Sequence, residues 1–142
     1  MSADFFDSTV FVYLLDETAP GKRARAEALV RSGIEARTAR ISFQVVQETL
    51  NVVTRKLVPP VTQAHASELV QRMLMPLCRE LPSEALYLRT LGLQAARGYS
   101  FYDSLIIAAA LEAGCTRLLS EDLQHGQVIE GLRIENPFLV AA

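Results

Sequence analysis

The sequence predicts an α/β fold, with helices flanking a mainly parallel sheet. Short apolar runs typical of buried strands alternate with longer stretches of good helix formers along the whole chain, which is the pattern of parallel α/β domains. Half of the 142 residues are hydrophobic, and glycine and proline are few. A chain of this length and composition forms one domain, so we treat residues 1–142 as a single unit.

The predicted elements follow from apolar periodicity and from the residues that start and stop helices. Thr62 is placed to cap a helix, and Gly114 to end one. In chain order the elements are a strand in 4–8 (DFFDS), helices at 9–15 and 19–34, a strand at 39–42 (ARIS), helices at 43–56 and 62–75, a strand at 77–81 (LCREL), helices at 83–97 and 102–114, and strands at 116–120 (TRLLS) and 132–137 (LRIENP).

Composition narrows the classes of function. A net charge of −2 argues against a general nucleic-acid binder. The stretch from Lys22 to Arg40 nevertheless contains six basic residues and only two acids. This stretch is either a solvated helix face or a local phosphate-contacting surface. No signal peptide or apolar run long enough to cross a membrane is apparent. Cys78 and Cys115 lack metal or disulfide spacing, so we expect buried thiols in a reducing, cytoplasmic setting.

One charged residue stands beside the most apolar stretch of the chain. The segment YSFYDSLIIAAALEAGC spans 99–115, and every residue from Leu105 to Leu111 is apolar. That run predicts a helix buried almost all round. Asp103 nevertheless lies in its first turn, where an ionised carboxylate buried without a partner costs several kcal/mol. Asp103 therefore raises the question of what it faces.

Two further acids are predicted at the same edge of the sheet. Asp7 and Asp122 both follow predicted strands, while Asp103 opens a helix. In open sheets of this class, sites form beyond the carboxyl ends of the strands. Three acids that are distant in sequence are therefore candidates for one place in space.

Each acid also has an ordinary structural explanation. Asp7 can be the N-cap of the following helix, and Ser100 to Asp103 matches the S-x-x-D form of a capping box. Asp122 can be a turn residue. Glu48 lies nearly opposite the apolar stripe of its helix, which suits a solvated glutamate or a side chain at the rim of a cleft.

A cluster of these carboxylates would need a cation or raised pKa values. Two like charges roughly 4 Å apart repel by about 4 kcal/mol at an effective dielectric of about 20. Oxygen ligands suit hard ions, so Mg²⁺ or Mn²⁺ is the natural occupant. A metal-bound water can attack a phosphodiester. On this hypothesis Asp103 faces a metal.

The residues resemble four motifs of the PIN domain family, and most closely its VapC-type toxins. FFDSTVFVYLLD, with Asp7, is similar to the first motif, and SFQVVQETLNVVTRK, with Glu48, to the second. YSFYDSLIIAAALEAGC, with Asp103, is similar to the third. RLLSEDLQHG is similar to the fourth, where Ser120 precedes the acid Asp122 by two positions.

The resemblance implies a five-stranded, mostly parallel sheet and an endoribonuclease that depends on Mg²⁺ or Mn²⁺. It implies that Asp7, Glu48, Asp103 and Asp122 form the catalytic metal site, that RNA is the substrate, and that the chain forms a homodimer neutralised by a cognate antitoxin. One departure is Thr9, where many relatives carry Asn; its hydroxyl can still orient a water. Glu121 does not match the acid position of the family.

Two other readings stay open. Haloacid-dehalogenase-like phosphotransferases also begin with an Asp after the first strand, but they usually have a second acid two residues later, where this chain has Thr9. A catalytically silent PIN module that only binds RNA or a partner protein is the other alternative. The presence of all four acids counts against it.

Overall fold

A computed structural model describes residues 2–139 of the chain as a six-stranded sheet with helices around it. The strand order is β3-β2-β1-β4-β6-β5, and every neighbouring pair is parallel except β5 with β6. The strands are β1 (Ala3–Phe6), β2 (Ala39–Ser42), β3 (Cys78–Glu80), β4 (Cys115–Leu119), β5 (Val128–Ile129) and β6 (Leu132–Glu135).

Seven α-helices and one π-helical segment connect the strands of the described chain. The predicted helix at 62–75 begins as expected under the Thr62 cap, but its middle is π-helical and its path continues past Pro76 to Leu77. The helices are α1 (Ser8–Leu15), α2 (Pro20–Glu35), α3 (Phe43–Arg55), α4 (Gln63–Leu69), the π-helical segment Val70–Leu74, α5 (Met75–Leu77), α6 (Glu84–Arg97) and α7 (Phe101–Glu112).

The expected α/β architecture is confirmed, but the sheet has six strands rather than five. The additional strand is β5, which forms a hairpin with β6 through Glu130 and Gly131. Both turn residues have positive φ angles, of 50° and 87°, as a two-residue type I′ turn requires. Two residues are too few to show an alternating pattern, and Glu-Gly is not among the strong signals for this turn.

Helix α7 fills the centre of the molecule. Its residues from Ser104 to Ala110 are all buried, and it packs against β4 and β2 on one side and α6 on the other. Gly114, at φ 71°, ends this segment in the left-handed conformation that glycine adopts without strain. The apolar run therefore specifies a core helix, as the sequence predicts.

Strand pairing at the centre of the sheet positions the site. Phe6 of β1 lies beside Leu119 of β4, and the Asp7 N–H donates to the Leu119 carbonyl at 3.0 Å. The next residues along these two parallel strands, Asp7 and Ser120, therefore leave the sheet side by side at its carboxyl edge.

Among residues 2–139, no helix is long and apolar enough to cross a membrane.

Candidate metal centre

Asp7 is a buried carboxylate with a structural duty. It is only 5% exposed and is the N-cap of α1, where its Oδ1 accepts the Ser8 N–H at 2.7 Å. The N-cap explanation is therefore correct for one carboxylate oxygen. The other oxygen, Oδ2, accepts a hydrogen bond at 2.6 Å from the hydroxyl of Ser120, at the end of β4.

The Ser120 hydroxyl ties two of the predicted acids together. While it donates to Asp7, it accepts the backbone N–H of Asp122 at 3.1 Å, and the serine is fully buried. This double hydrogen bond sets the loop after β4 against the end of β1. The two-residue spacing of Ser120 and Asp122 thus has a geometric reason.

Glu48 approaches the same place from α3. It is half-buried, and its Oε2 is 3.4 Å from the Ser8 hydroxyl, which is itself 3.4 Å from Asp7 Oδ1. Its other oxygen, Oε1, accepts from Gln44 Nε2 at 2.9 Å. The structure therefore places Glu48 at the rim of a cleft rather than on a fully solvated helix face.

Asp103 is exposed at the start of α7, and the capping-box explanation holds only in half. The Ser100 hydroxyl accepts the Asp103 N–H at 3.1 Å, so Ser100 caps the helix. The reciprocal hydrogen bond, in which the Asp103 carboxylate would accept the Ser100 N–H, is not formed, and this carboxylate makes no hydrogen bond within residues 2–139. Its oxygens thus remain available to a ligand.

Electrostatic interactions connect all four acids. The pKa of Asp7 is raised to about 6, first by burial and then by the charges of Glu48 and Asp122, which together outweigh the two hydrogen bonds that lower it. The pKa of Asp122 is also raised, first by desolvation and then by Glu121 and Asp103. Glu48, Asp122 and Asp103 therefore each disfavour ionisation of a neighbouring aspartate in the set.

Glu121 belongs to a different set of contacts. Its carboxylate accepts from Lys22 Nζ at 2.6 Å and from the Tyr13 hydroxyl, and Lys22 also lies 4.7 Å from the centre of the Tyr13 ring. Its backbone N–H donates to Thr9 Oγ1 at 3.3 Å. Glu121 is thus compensated by a cation, and the Thr9 hydroxyl holds the loop that carries Asp122.

The four acids predicted to form the site have no basic side chain paired with them among the described residues. None of the ion pairs between described residues involves Asp7, Glu48, Asp103 or Asp122. A buried carboxylate with acidic neighbours and no positive partner fits a hard divalent cation, because oxygen donors are the ligands such ions prefer. No three acid, His or Cys side chains of residues 2–139 already stand in a metal-holding arrangement. Closing the set around an ion therefore requires side-chain movement, for which exposed Asp103 and Asp122 are free.

Sequence reasoning did not identify two side chains that orient the acids. Gln44 is 4% exposed, and its Nε2 donates both to Glu48 and to the Tyr102 carbonyl at 3.1 Å, one residue before Asp103. Ser8 stands between Asp7 and Glu48. The available signal for Gln44 was its place one helical turn before Glu48.

Comparison with solved structures shows the same fold in three proteins at low sequence identity. A toxin-antitoxin complex from Klebsiella pneumoniae matches with a TM-score of 0.69 and 15% identity, over 97% of this chain and 100% of the other. VapC20 from Mycobacterium tuberculosis, described as a sarcin-ricin loop cleaving toxin, matches with a TM-score of 0.58 and 18% identity. The match covers 84% of this chain and 90% of the other. FitAB bound to the IR36 DNA fragment matches with 0.60 and 16%, over 98% of each chain.

Comparison with functionally curated protein sequences gives no significant match. The family model named PIN domain, in contrast, matches residues 5–130, which include the four acids and every strand except β6 and the first residues of β1. The chain therefore belongs to the PIN domain family.

Proposed function

We propose that the chain is a divalent-metal-dependent endoribonuclease of the VapC toxin type, held inactive by a cognate antitoxin. The observation that carries this proposal is Asp7, a buried carboxylate at the carboxyl edge of the sheet with no ion pair among residues 2–139. The charges of Glu48 and Asp122 act on Asp7, and the charge of Asp103 acts on Asp122. Stabilising such a set needs a cation, and PIN domain membership favours nuclease chemistry for it.

The residues have separate roles in this proposal. Asp7 and Asp103 would be the principal ligands of Mg²⁺ or Mn²⁺, and Glu48 and Asp122 would complete the acidic site. When bound, the ion would neutralise charge on a phosphate and activate water for its hydrolysis. Ser120 holds the Asp7 carboxylate and the Asp122 backbone through its two hydrogen bonds, which supports a shared role for these two acids.

RNA is the proposed substrate. VapC20, which shares this fold, is described as cleaving the sarcin-ricin loop, and this supports RNA as the substrate class. A net charge of −2 indicates that this chain does not bind nucleic acid through general charge attraction. Recognition by the site and its bound ion is therefore favoured over a broad basic surface.

A groove of about 600 Å³ supports the proposal of an antitoxin partner. Its floor is apolar, with Leu14, Leu57 and Met73, and its rim carries acids such as Glu17 and Glu68 beside Arg23 and Arg72. An amphipathic segment that folds on binding would bury the floor and pair with the rim. A toxin-antitoxin complex among the similar structures supports such a partner.

An exposed face of α6 supports the proposal of a homodimer. Tyr87, Leu88 and Leu91 are 40%, 61% and 52% exposed. Leu91 follows Tyr87 by four residues and Leu88 by three, so the three side chains lie on one side of the helix and form an apolar patch. Isologous dimers bury such self-complementary patches. We expect a dimer of the isolated chain in the cytoplasm, and Leu88→Glu should shift it to monomer in analytical ultracentrifugation.

The decisive test is an RNA cleavage assay on the purified chain. Cleavage should require Mg²⁺ or Mn²⁺, stop with EDTA, and be poorly supported by Ca²⁺, whose looser coordination orients water less strictly. Full activity in EDTA would refute the metal mechanism. Growth arrest on expression, relieved by co-expression of the neighbouring reading frame, tests the toxin role.

A further inference from the structure

Helix α3 carries a polar stripe beside the acidic site. Gln44, Gln47, Glu48 and Asn51 are spaced at i, i+3, i+4 and i+7, so they lie on one face of the helix. Together with Tyr102 they line a surface cavity of about 340 Å³. This volume is at the lower end of the roughly 300–1,000 Å³ found for small-ligand clefts, which suits one small ligand group.

Tyr102 is an exposed aromatic residue held in a defined position. Its side chain is 65% exposed, although its ring packs edge-on against Phe101 with centroids 5.3 Å apart and planes at 86°. Its carbonyl accepts from Gln44 Nε2, which links α7 to α3. Most of the ring is therefore open to solvent while its backbone is fixed beside Asp103.

The amide side chains of the cavity divide into two kinds. Gln44 is buried, and both hydrogens of its Nε2 are used, on Glu48 and on the Tyr102 carbonyl, which fixes the orientation of this amide. Gln47 and Asn51 are exposed, and neither side chain has a hydrogen-bond partner within residues 2–139. These two amides keep both a donor and an acceptor free at the cavity.

The chemistry of the cavity matches an unpaired nucleobase. Single-stranded RNA is recognised by stacking of splayed bases on aromatic rings and by hydrogen bonds to base edges, for which Asn and Gln supply donor and acceptor together. The carboxylate of Glu48 in the wall disfavours an anionic phosphate in the cavity but not a neutral base. The ligand class is thus the base of a nucleotide rather than its phosphate.

We propose that this cavity binds one unpaired base of the RNA substrate, next to the phosphodiester at the acidic site, with Tyr102 stacking on the base and Gln47 and Asn51 selecting it. This inference rests on the proposed function, because Glu48 is shared by the cavity and the acidic site. It assigns sequence selectivity at one nucleotide to side chains outside the four acids.

Binding can be measured without cleavage. A short single-stranded RNA with one 2-aminopurine reports stacking by loss of its fluorescence, and the chain has no tryptophan to interfere. In EDTA, the parent and Tyr102→Phe should quench the probe, whereas Tyr102→Leu should bind it about fivefold to a hundredfold more weakly. Tyr87→Leu, which removes an exposed tyrosine from α6 but keeps an apolar side chain in the proposed dimer patch, is the matched control and should bind like the parent.

Base selection is tested by sequencing the ends of cleaved RNA. Gln47→Ala and Asn51→Ala should broaden the preference at one nucleotide beside the cut, and Tyr102→Leu should raise KM more than it lowers kcat. Gln71→Ala, an exposed glutamine outside the cavity, should leave the cleavage pattern unchanged.

The outcomes separate this inference from the proposed function. Unchanged quenching by Tyr102→Leu, no quenching by the parent, or an unchanged cleavage pattern in both amide variants would overturn the base site while leaving the nuclease intact. Quenching that depends on Tyr102 in a protein that cuts no RNA with Mg²⁺ would support the base site and refute the nuclease.

Discussion

Two aspartates three residues apart, one inside the first strand and one just after it, have opposite surroundings. Asp4, inside β1, receives two hydrogen bonds from the Arg117 guanidinium at 2.9 and 2.7 Å, and Arg117 also pairs with Glu135 at 3.0 Å. Asp7, just after β1, accepts hydrogen bonds from a hydroxyl and a backbone N–H, and its charged neighbours are acids. Within residues 2–139, the charge of Asp4 thus has a cationic partner and that of Asp7 has none.

This difference indicates which carboxylate is structural. In the Asp4–Arg117–Glu135 cluster, which crosses β1, β4 and β6, both carboxylates pair with the same guanidinium, so each has a cationic partner within the protein. Asp7 is more deeply buried, yet it is left with a raised pKa. A fold retains such an uncompensated charge at a cost, and that cost is understandable when a cation binds there during function.

The largest expected effect is on activity. Asp7→Asn removes an anionic ligand, and because a catalytic metal contributes several kcal/mol of transition-state stabilisation, RNA cleavage in Mg²⁺ should fall at least about 100-fold. Asp4→Asn should keep cleavage within about threefold of the parent at a temperature where it is folded. Equal losses in both variants would remove the distinction between the two aspartates.

The pH dependence of folding gives the next effect. Burial raises the pKa of folded Asp7 from 3.8 to about 6, so the folded chain holds this proton more tightly than the unfolded chain. The free energy of unfolding of the metal-free protein should therefore fall by on the order of 3 kcal/mol as pH rises from about 4 to about 6, because of the ionisation of this group. The loss is complete above about pH 6.

Asp7→Asn lacks the titrating carboxylate, so it is the control for this pH dependence. The free energy of unfolding of Asp7→Asn relative to the parent, from urea titrations in EDTA, should rise over the same interval of pH and then stay level. A difference that is constant with pH would mean that the Asp7 carboxylate is not destabilised by its surroundings.

Metal binding should reverse the cost at Asp7. Mg²⁺ at about 100 times its Kd should stabilise the parent by about 2.7 kcal/mol through mass action, and thermal melts with Mg²⁺ and with EDTA measure this shift. Asp7→Asn should respond much less, whereas Asp4→Asn should respond like the parent. A full Mg²⁺ shift in Asp7→Asn would place the ion elsewhere.

Smaller effects are expected for the paired and the exposed aspartate. Asp4→Asn should lower the free energy of unfolding by about 1 kcal/mol, since Arg117 is 40% exposed and keeps its ion pair with Glu135.

The free energy of unfolding of Asp103→Asn should stay within about 0.5 kcal/mol of the parent value, because relief of repulsion offsets the lost charge near the α7 N-terminus. Its cleavage activity should nevertheless fall about as far as that of Asp7→Asn, and an Asp103→Asn variant that cleaves RNA like the parent would exclude this carboxylate from the proposed metal site.

The four acids show how far sequence patterns reach toward the site. Strand ends and helix starts predicted that Asp7, Asp103 and Asp122 belong to one edge, since parallel strands share a carboxyl edge. The helical wheel did not decide whether Glu48 points into solvent or lies at the rim of a cleft. It gives the position of a residue relative to the apolar stripe of its own helix and contains no information on neighbouring elements. Gln44, which joins Glu48 to Tyr102, was not predicted, since its partners lie on different helices.

The sequence alone determined the alternation of strands and helices, the buried course of α7 and the caps at Thr62 and Ser100, because these depend on local periodicity and neighbouring backbone groups. Tertiary structure decided which carboxylates are compensated. Asp7 and Ser120 are 113 residues apart, yet the pairing of β1 with β4 brings their side chains to 2.6 Å. Charge interactions depend on distance in space and on burial, and strand order fixes both only after the chain has folded.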